Sequence, residues 1–162
     1  MPCTQQPTPP KTSDQLELIK SLAGQWEGIS EGISKETGKE ENTPAKVEYR
    51  LTSGGTAVEE KLFSGTPHEM VSMYHDIKGK LSMTHYCMLG NQPQLGLTET
   101  APGKILLNET PASAAVLEGQ MRMASLSIEW SDKDNIIQTW QGVGADGKAL
   151  PPTVIKLKRV AA

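Results

Sequence analysis

The chain has 162 residues, of which 36% are hydrophobic and 22% are charged, and its net charge at neutral pH is −3. This length suits a domain with a real hydrophobic core. The slightly acidic balance, with scattered lysines and arginines, argues against a nucleic-acid or anionic-membrane surface. No stretch of about 18 apolar residues occurs, so no transmembrane segment is predicted.

The first 12 residues are predicted to be a flexible tail, because they hold prolines and polar residues with little apolar surface to offset the entropy of ordering. No apolar signal-peptide region occurs at the start, which favours a cytoplasmic protein. The alternative is a periplasmic lipoprotein with its signal trimmed, since Cys3 and the following TQQPTPPKTS resemble an acylated cysteine and its stalk. Residues 13–162 are predicted to form a single domain.

A short amphipathic helix, Asp14–Ala23, is predicted to follow the tail. Ser13 offers a side-chain oxygen to the first turn as an N-cap. Leu16 and Ile19 fall at helical spacing, and Gly24 can supply a left-handed C-cap.

From Trp26 onward the hydrophobic period changes to two, which indicates half-buried β-strands. Turn sequences such as SGGT, APGK, SDKDN and GADGK separate the strands. One helix followed by about nine or ten short strands predicts an all-β protein, a closed antiparallel barrel of about 8–10 strands, because closure removes exposed edges. A barrel of this size has room inside for side chains and one small ligand.

Two segments resemble the calycin superfamily. LAGQW (Leu22–Trp26) resembles the G-x-W start of lipocalins, whose tryptophan closes the barrel floor and stacks with an arginine near the end of the last strand. Arg159 holds that position here, so we expect it to contact Trp26.

The segment from GTPHEM to GNQP (Gly65–Pro93) resembles a bacterial lipocalin-like family of unknown function that carries YH…THYC…GNQP segments. The resemblance implies a calycin-like barrel and small-molecule binding, with no known reaction and therefore no assigned catalytic residue.

The hairpin formed by Val71–His75 and Leu81–Cys87 carries most of the candidate ligand-binding residues. Pairing Asp76 with Lys80 leaves a three-residue turn and predicts one apolar, inward face. That face includes Met73, His75, Met83, His85 and Cys87. The same register places Tyr74 and Tyr86 on the outer face.

Two further polar residues belong to the predicted site. Glu60 shares the inward parity of Val58 and Leu62, and a buried carboxylate needs a partner, such as an inward histidine or a ligand. A bulge that turns Glu60 outward is the alternative. Asn91, in a loop at the barrel rim, could either bind a ligand at the mouth or satisfy backbone groups.

The predicted function is to hold a small, mostly apolar or amphipathic molecule in the lumen without a cofactor. The alternatives are an enzyme of unknown reaction that uses His85 with Glu60 or Cys87, a haem-binding barrel with one axial histidine, and a packed barrel without a pocket.

No metal site is predicted, because His75 and His85 would lie about 13 Å apart along the ladder. Cys87 fits a small buried hydrophobic residue better than a nucleophile. No oligomeric state is predicted.

Overall fold

The structure is a computed structural model that describes residues 10–34 and 36–161. Within these ranges the regular elements, in chain order, are α1 (Asp14–Lys20), β1 (Gly24–Ile33), β2 (Glu40–Thr52), β3 (Ala57–Leu62), β4 (Met70–Ile77), β5 (Lys80–Tyr86), β6 (Gln94–Ala101), β7 (Lys104–Glu109), α2 (Pro111–Val116), β8 (Arg122–Asp132), β9 (Asn135–Val143) and β10 (Thr153–Arg159). Cys3 and most of the predicted tail lie outside the described residues, so the tail, the lipoprotein alternative and the domain division stay predictions.

The ten strands form one closed antiparallel barrel. Each strand pairs with its neighbours in the chain, and β1 pairs with β10 to complete the circle. Burial alternates along the strands, as in β9, where Ile136, Gln138 and Trp140 point inward. The predicted fold class is therefore confirmed, and the core lies inside the barrel.

One end of the barrel is closed by α1. Leu16 and Ile19 on this helix are fully buried. Ser13 is the N-cap, and its side-chain oxygen accepts a hydrogen bond from the backbone N–H of Leu16 at 3.1 Å. The Ser13 hydroxyl also donates to the carboxylate of Asp76 at the end of β4, at 2.6 Å. The helix ends at Lys20, earlier than predicted, with Ser21 rather than Gly24 as its C-cap.

The seam between β1 and β10 lies above this helix. Trp26 pairs directly with Arg159, and the guanidinium carbon of Arg159 lies 4.5 Å from the centroid of the Trp26 ring. The guanidinium also donates to a carboxylate and to three backbone carbonyls, those of Asp134, Ser21, Ala23 and Lys133. The expected contact between Trp26 and Arg159 is present, and it ties the seam to the end of α1.

The β4–β5 hairpin differs from the prediction by one residue. Ile77 pairs with Lys80, so that the turn consists of Lys78 and Gly79 alone. Both turn residues have positive φ, 51° and 76°, as a two-residue turn between twisted strands requires. The predicted pairing of Asp76 with Lys80 is wrong.

This shift exchanges the two faces of β4, since a slip of one residue moves every side chain of a strand to the other side. Met73 and His75 point outward and are partly exposed, whereas Ser72 and Tyr74 point inward and are fully buried. The predicted inward positions of Met73 and His75 are therefore wrong, as is the outward position of Tyr74. The inward face of β5 is as predicted.

A second helix, α2, is not predicted by the strand pattern. Thr110 caps it by accepting from the backbone N–H of Ser113, and Pro111 fits the first turn, where its missing N–H costs nothing. The residues after α2 connect it to β8, which begins at Arg122. Neither helix in the described part of the chain is long and apolar enough to cross a membrane.

Candidate functional site

A row of polar side chains crosses the inner wall of the barrel at a single level. Tyr49 on β2 pairs with Glu60 on β3, Glu60 pairs with Ser72 on β4, and Ser72 pairs with His85 on β5. All four residues are buried, and Gln138 on β9 approaches them from the opposite wall, also fully buried. Directly opposed residues on neighbouring strands have Cβ atoms about 5 Å apart, so their polar groups can form a continuous network. We call these five residues the polar row.

The polar row is held together by Gln138. Its side-chain Nε2 donates to Oε2 of Glu60 at 2.6 Å and to the phenol oxygen of Tyr49 at 2.7 Å. Its Oε1 accepts from the indole Nε1 of Trp140 at 2.8 Å. The Tyr74 hydroxyl donates to Oε1 of Glu60 at 3.3 Å. The two walls of the barrel are thereby joined through polar groups in an otherwise apolar lumen.

Glu60 faces inward, as its parity predicts, and is fully buried. Burial raises its pKa from 4.5 to about 7, because an apolar surrounding disfavours the charged carboxylate. Hydrogen bonds from Tyr49, Gln138, Tyr74 and Ser72 oppose that rise by stabilising the charged form. Glu60 is therefore a buried carboxylate that can titrate near neutral pH.

Beyond the polar row, at the end of the barrel opposite α1, lies a cavity of about 400 Å³. Its lining comes from the ends of several strands and from the β3–β4 loop, and comprises Thr43, Pro44, Leu62, Phe63, Thr66, His68, Met70, His85, Met88, Met123, Trp140, Thr153 and Ile155. Most of this surface is apolar. Among these residues the buried polar side chains are His85 and Trp140, and the indole N–H of Trp140 is already bonded to Gln138.

His85 belongs both to the polar row and to the cavity lining. Its Nδ1 lies 2.9 Å from the hydroxyl oxygen of Ser72, and its ring lies 4.8 Å from the ring of Trp140, centroid to centroid. Burial lowers its pKa from 6.5 to about 4, because desolvation disfavours the imidazolium. No described residue forms a hydrogen bond with Nε2. The cavity therefore contains a neutral imidazole with one uncommitted nitrogen.

The other predicted site residues lie elsewhere. Met83 is fully buried in the core, opposite Tyr74. Cys87 follows the end of β5 in a turn closed by a hydrogen bond from Gly90 to its carbonyl, and its thiol is free. Asn91 is buried at the rim, where its amide donates to the carbonyl of Met121 at 3.0 Å. None of these three residues lines the cavity, and Cys87, beyond the end of β5, is only partly buried.

Sequence reasoning missed three members of this site: Tyr49, Ser72 and Gln138. Ser72 was hidden by the wrong hairpin register. Gln138 had a usable signal, since it is a polar residue at an inward position between Ile136 and Trp140. Within residues 10–34 and 36–161, no group of three or more His, Cys, Asp or Glu side chains could hold a metal ion.

The fold and the cavity together define a calycin-like barrel, closed by a helix at one end and open to a cavity at the other. No family model matches the chain, and no curated protein matches it either. Similarity to known proteins is found among solved structures. The likeness to the lipocalin-like family with THYC…GNQP segments stays a prediction.

Three of these structures have the same fold. A protein of unknown function from the DUF3598 family of Nostoc punctiforme superposes with a TM-score of 0.65 at 14% identity, over 88% of this chain and 48% of that one. Rv2717c from M. tuberculosis gives 0.63 at 12% identity, over 93% and 100%. The S-type phycobiliprotein lyase CPES from Guillardia theta gives 0.59 at 10% identity, over 94% and 99%. The chain spans about half the length of the Nostoc protein. At these identities the likeness shows the fold alone.

Proposed function

We propose that the protein binds a small, mostly apolar molecule in the cavity at the open end of the barrel, with His85 as its polar anchor. The observation that carries this proposal is the uncommitted Nε2 of a neutral, buried imidazole in an otherwise apolar cavity of about 400 Å³. Sites for small molecules have volumes of about 300–1,000 Å³ and combine apolar walls with a few placed polar groups.

The apolar residues of the cavity wall and the polar side chain of His85 would contribute differently to binding. Each ligand CH₂ group that is buried contributes about 0.8 kcal/mol, whereas one hydrogen bond contributes about 0.5–1.5 kcal/mol net. Apolar contacts with residues such as Leu62 and Ile155 would therefore supply most of the affinity. The unbranched side chains of Met70, Met88 and Met123 can adapt to ligands of different shape. His85 would set the orientation of the ligand.

The proposal is tested by titrating the protein with decanol and following the fluorescence of Trp140, which lines the cavity. We expect saturable binding that His85→Ala weakens by about twofold to tenfold, the range that one hydrogen bond supports. His75→Ala is the matched control, because His75 lies on the outer face of β4. Absence of saturable binding, or equal losses in the two variants, would contradict the proposal.

Haem is a second candidate ligand, because a neutral histidine with a free ring nitrogen in an apolar site also suits axial ligation of haem iron. The observation that favours it is the same Nε2 of His85. Addition of haem should then produce an intense visible absorption band that His85→Ala abolishes and that His68→Ala, at the exposed mouth, retains. The enzyme hypothesis stays a prediction.

A further inference from the structure

A second cavity, of about 240 Å³, adjoins the cavity that contains His85. It lies at the same open end of the barrel, between the end of β1 and the β9–β10 connection, to which Ile33 and Leu150 belong. The two cavities share three lining residues, Met123, Trp140 and Thr153. These three residues form the boundary between the cavities, so a molecule in the first cavity lies beside the second.

The wall of the second cavity suits an apolar group. Most of the lining residues are apolar side chains or glycine. Among the lining residues that the structure describes, Arg122 is the one with a charge, and this charge is balanced within the wall. Its Nε donates to both carboxylate oxygens of Glu109 at 2.9 Å, and its Nη1 donates to two backbone carbonyls. The second cavity therefore fits an alkyl chain better than a charged group, which would have to compete with these bonds.

The boundary between the cavities has a fixed part and an adaptable part. Trp140 is fixed, because its indole N–H donates to Gln138 at 2.8 Å and its ring lies 4.8 Å from the ring of His85. Met123 is only partly buried and lies at an irregularity of β8, where the pairing with β9 shifts by a residue. A methionine side chain is unbranched and has three rotatable bonds. Rotation of Met123 can therefore open a passage from one cavity to the other.

Gly142 leaves room on the other side of this passage. It pairs with Met123 across β8 and β9. A Cβ atom at this position would lie 3.7 Å from Sδ of Met123 and 3.6 Å from Cδ1 of Leu150, so the added side chain would grow between these two residues of the second cavity. Gly142 has no positive φ. Its backbone conformation is thus open to other residues, and the consequence of glycine here is space.

From this arrangement we infer that the ligand is a long, unbranched amphiphile, whose polar head bonds to His85 in the first cavity and whose apolar tail passes Met123 into the second. The inference rests on the proposed function and names its ligand class. A rigid, compact ligand of the same polarity fills the first cavity alone, whereas a flexible alkyl chain can follow the passage between the two.

The length dependence of binding is measured by titrating the protein with decanol and with tetradecanol and following tryptophan fluorescence. Tetradecanol has four more CH₂ groups than decanol. Each CH₂ group that leaves water raises the affinity by about fourfold, so tetradecanol should bind the wild-type protein more tightly by about tenfold or more. A tail that stayed outside in solvent would give no such gain.

Two variants obstruct the passage in different ways. Met123→Ile replaces an adaptable side chain by a stiff, β-branched one, and it should bring the affinity ratio of the two alcohols towards one. Met70→Ile is the matched control, because Met70 lines only the first cavity, and it should leave the ratio unchanged.

Gly142→Val fills the second cavity directly and should also bring the ratio towards one. Its control is Gly96→Val, at a strand glycine that also has no positive φ and lines neither cavity. A wild-type ratio that persists in Gly142→Val overturns the inference.

The position of the tail is measured by NMR of ¹³C-labelled methionine methyl groups. The chain has seven methionines, and substitution of each by leucine assigns its signal. Met70 and Met88 line only the first cavity, and Met121 lines only the second. Decanol should shift the signals of Met70 and Met88, and tetradecanol should shift that of Met121 as well.

The outcomes separate the inference from the proposed function on which it rests. If decanol binds but tetradecanol gives an equal affinity, or leaves the Met121 signal in place, the inference is overturned and the proposed function stands. Failure of both alcohols to bind the wild-type protein overturns both.

Discussion

His85 and Glu60 are two ionisable side chains buried in one lumen, and burial favours the neutral form of each. Desolvation lowers the pKa of His85 to about 4 and raises that of Glu60 to about 7. Their surroundings differ, because Gln138 and Tyr74 donate hydrogen bonds to the Glu60 carboxylate, whereas the His85 ring contacts, among the described residues, only the hydroxyl of Ser72 through a hydrogen bond. Glu60 can therefore ionise at neutral pH, whereas His85 cannot become an imidazolium there.

The buried carboxylate should make stability depend on pH. Glu60 titrates at about 7 in the folded protein, against an ordinary value of 4.5, so between these values the folded state binds more protons than the unfolded state. The free energy of unfolding therefore falls as pH rises through this window, by about 3 kcal/mol in total. In Glu60→Gln this loss should be absent. Urea unfolding of both proteins at several pH values measures the difference.

Wild type and Glu60→Gln must be compared at each pH, because the titration of His85 changes the free energy of unfolding with pH in the direction opposite to that of Glu60. Its lowered pKa removes stability as pH falls from 6.5 towards 4, and this contribution is shared by wild type and Glu60→Gln. Relative to wild type, the variant should gain stability as pH rises. A difference that stays constant with pH would show that Glu60 does not titrate in this window.

At the scale of the elements, the β4–β5 turn decides which side chains reach the lumen. Both faces of β4 carry apolar residues, such as Met73 on one and Tyr74 on the other, so hydrophobic alternation alone does not select a register. The two-residue turn at Lys78 and Gly79 does select one, and it places Ser72 beside His85. A turn at the far end of the hairpin thus decides which side chains of β4 face the lumen.

Lys78→Asn should stabilise the protein. Lys78 has φ of 51°, a left-handed conformation that costs a residue with a long side chain about 1–2 kcal/mol and that asparagine tolerates better. We expect the free energy of unfolding to rise by about 0.5–1 kcal/mol. Lys80→Asn is the control, because Lys80 lies in the strand with no positive φ, and no gain is expected there. Equal effects at the two positions would refute the turn assignment.

At the scale of the whole molecule, the barrel is completed by pairing of β1 with β10, the strands most distant in the chain. The pairing includes Trp26 opposite Arg159 and Gly28 opposite Leu157. Gly28 allows a close approach of the two backbones, since a Cβ atom at this position would lie 1.7 Å from the carbonyl oxygen of Lys156. Closure of the barrel therefore depends on the absence of a Cβ atom at Gly28 as well as on the contacts between β1 and β10.

Gly28→Ala should open or distort this seam. The added methyl group meets backbone that cannot move aside cheaply, and we expect a loss of about 3 kcal/mol or more. Gly32→Ala on the same strand is the control, because its Cβ would lie 3.4 Å from the side-chain oxygen of Thr153. Thermal and urea unfolding of the two variants measure the effect. Similar stabilities would contradict the close approach at Gly28.

Arg159→Ala tests the other half of the seam. The variant loses the contact with Trp26 and the hydrogen bonds that tie the seam to α1. A cation–π contact contributes about 0.5–2 kcal/mol, and the hydrogen bonds add to it, so a loss of about 1–3 kcal/mol in unfolding free energy is expected. Arg50→Ala removes an exposed pair with Glu59 at 3.7 Å and should cost less than about 1 kcal/mol. Equal losses would contradict the role of Arg159.

Features that depend on local pattern could be predicted from the sequence. Alternation with a period of two identified most strands, and the number of strands implied closure of the barrel. The N-cap at Ser13 follows from a side chain and the turn beside it. The contact between Trp26 and Arg159 was expected from the places of these residues in the first and last strands. Each of these conclusions needs only residues close in sequence or the simple order of the strands.

The site itself was decided by the tertiary structure. Both faces of β4 carry apolar residues, so alternation alone could not tell whether Ser72 or Met73 faces the lumen, and the turn settled that choice. Gln138 bonds to Glu60 across 78 residues of chain, and this contact joins opposite walls that meet only when the barrel is closed. The neutral form of the His85 imidazole also depends on the tertiary structure, because several strands together bury the ring and desolvate it.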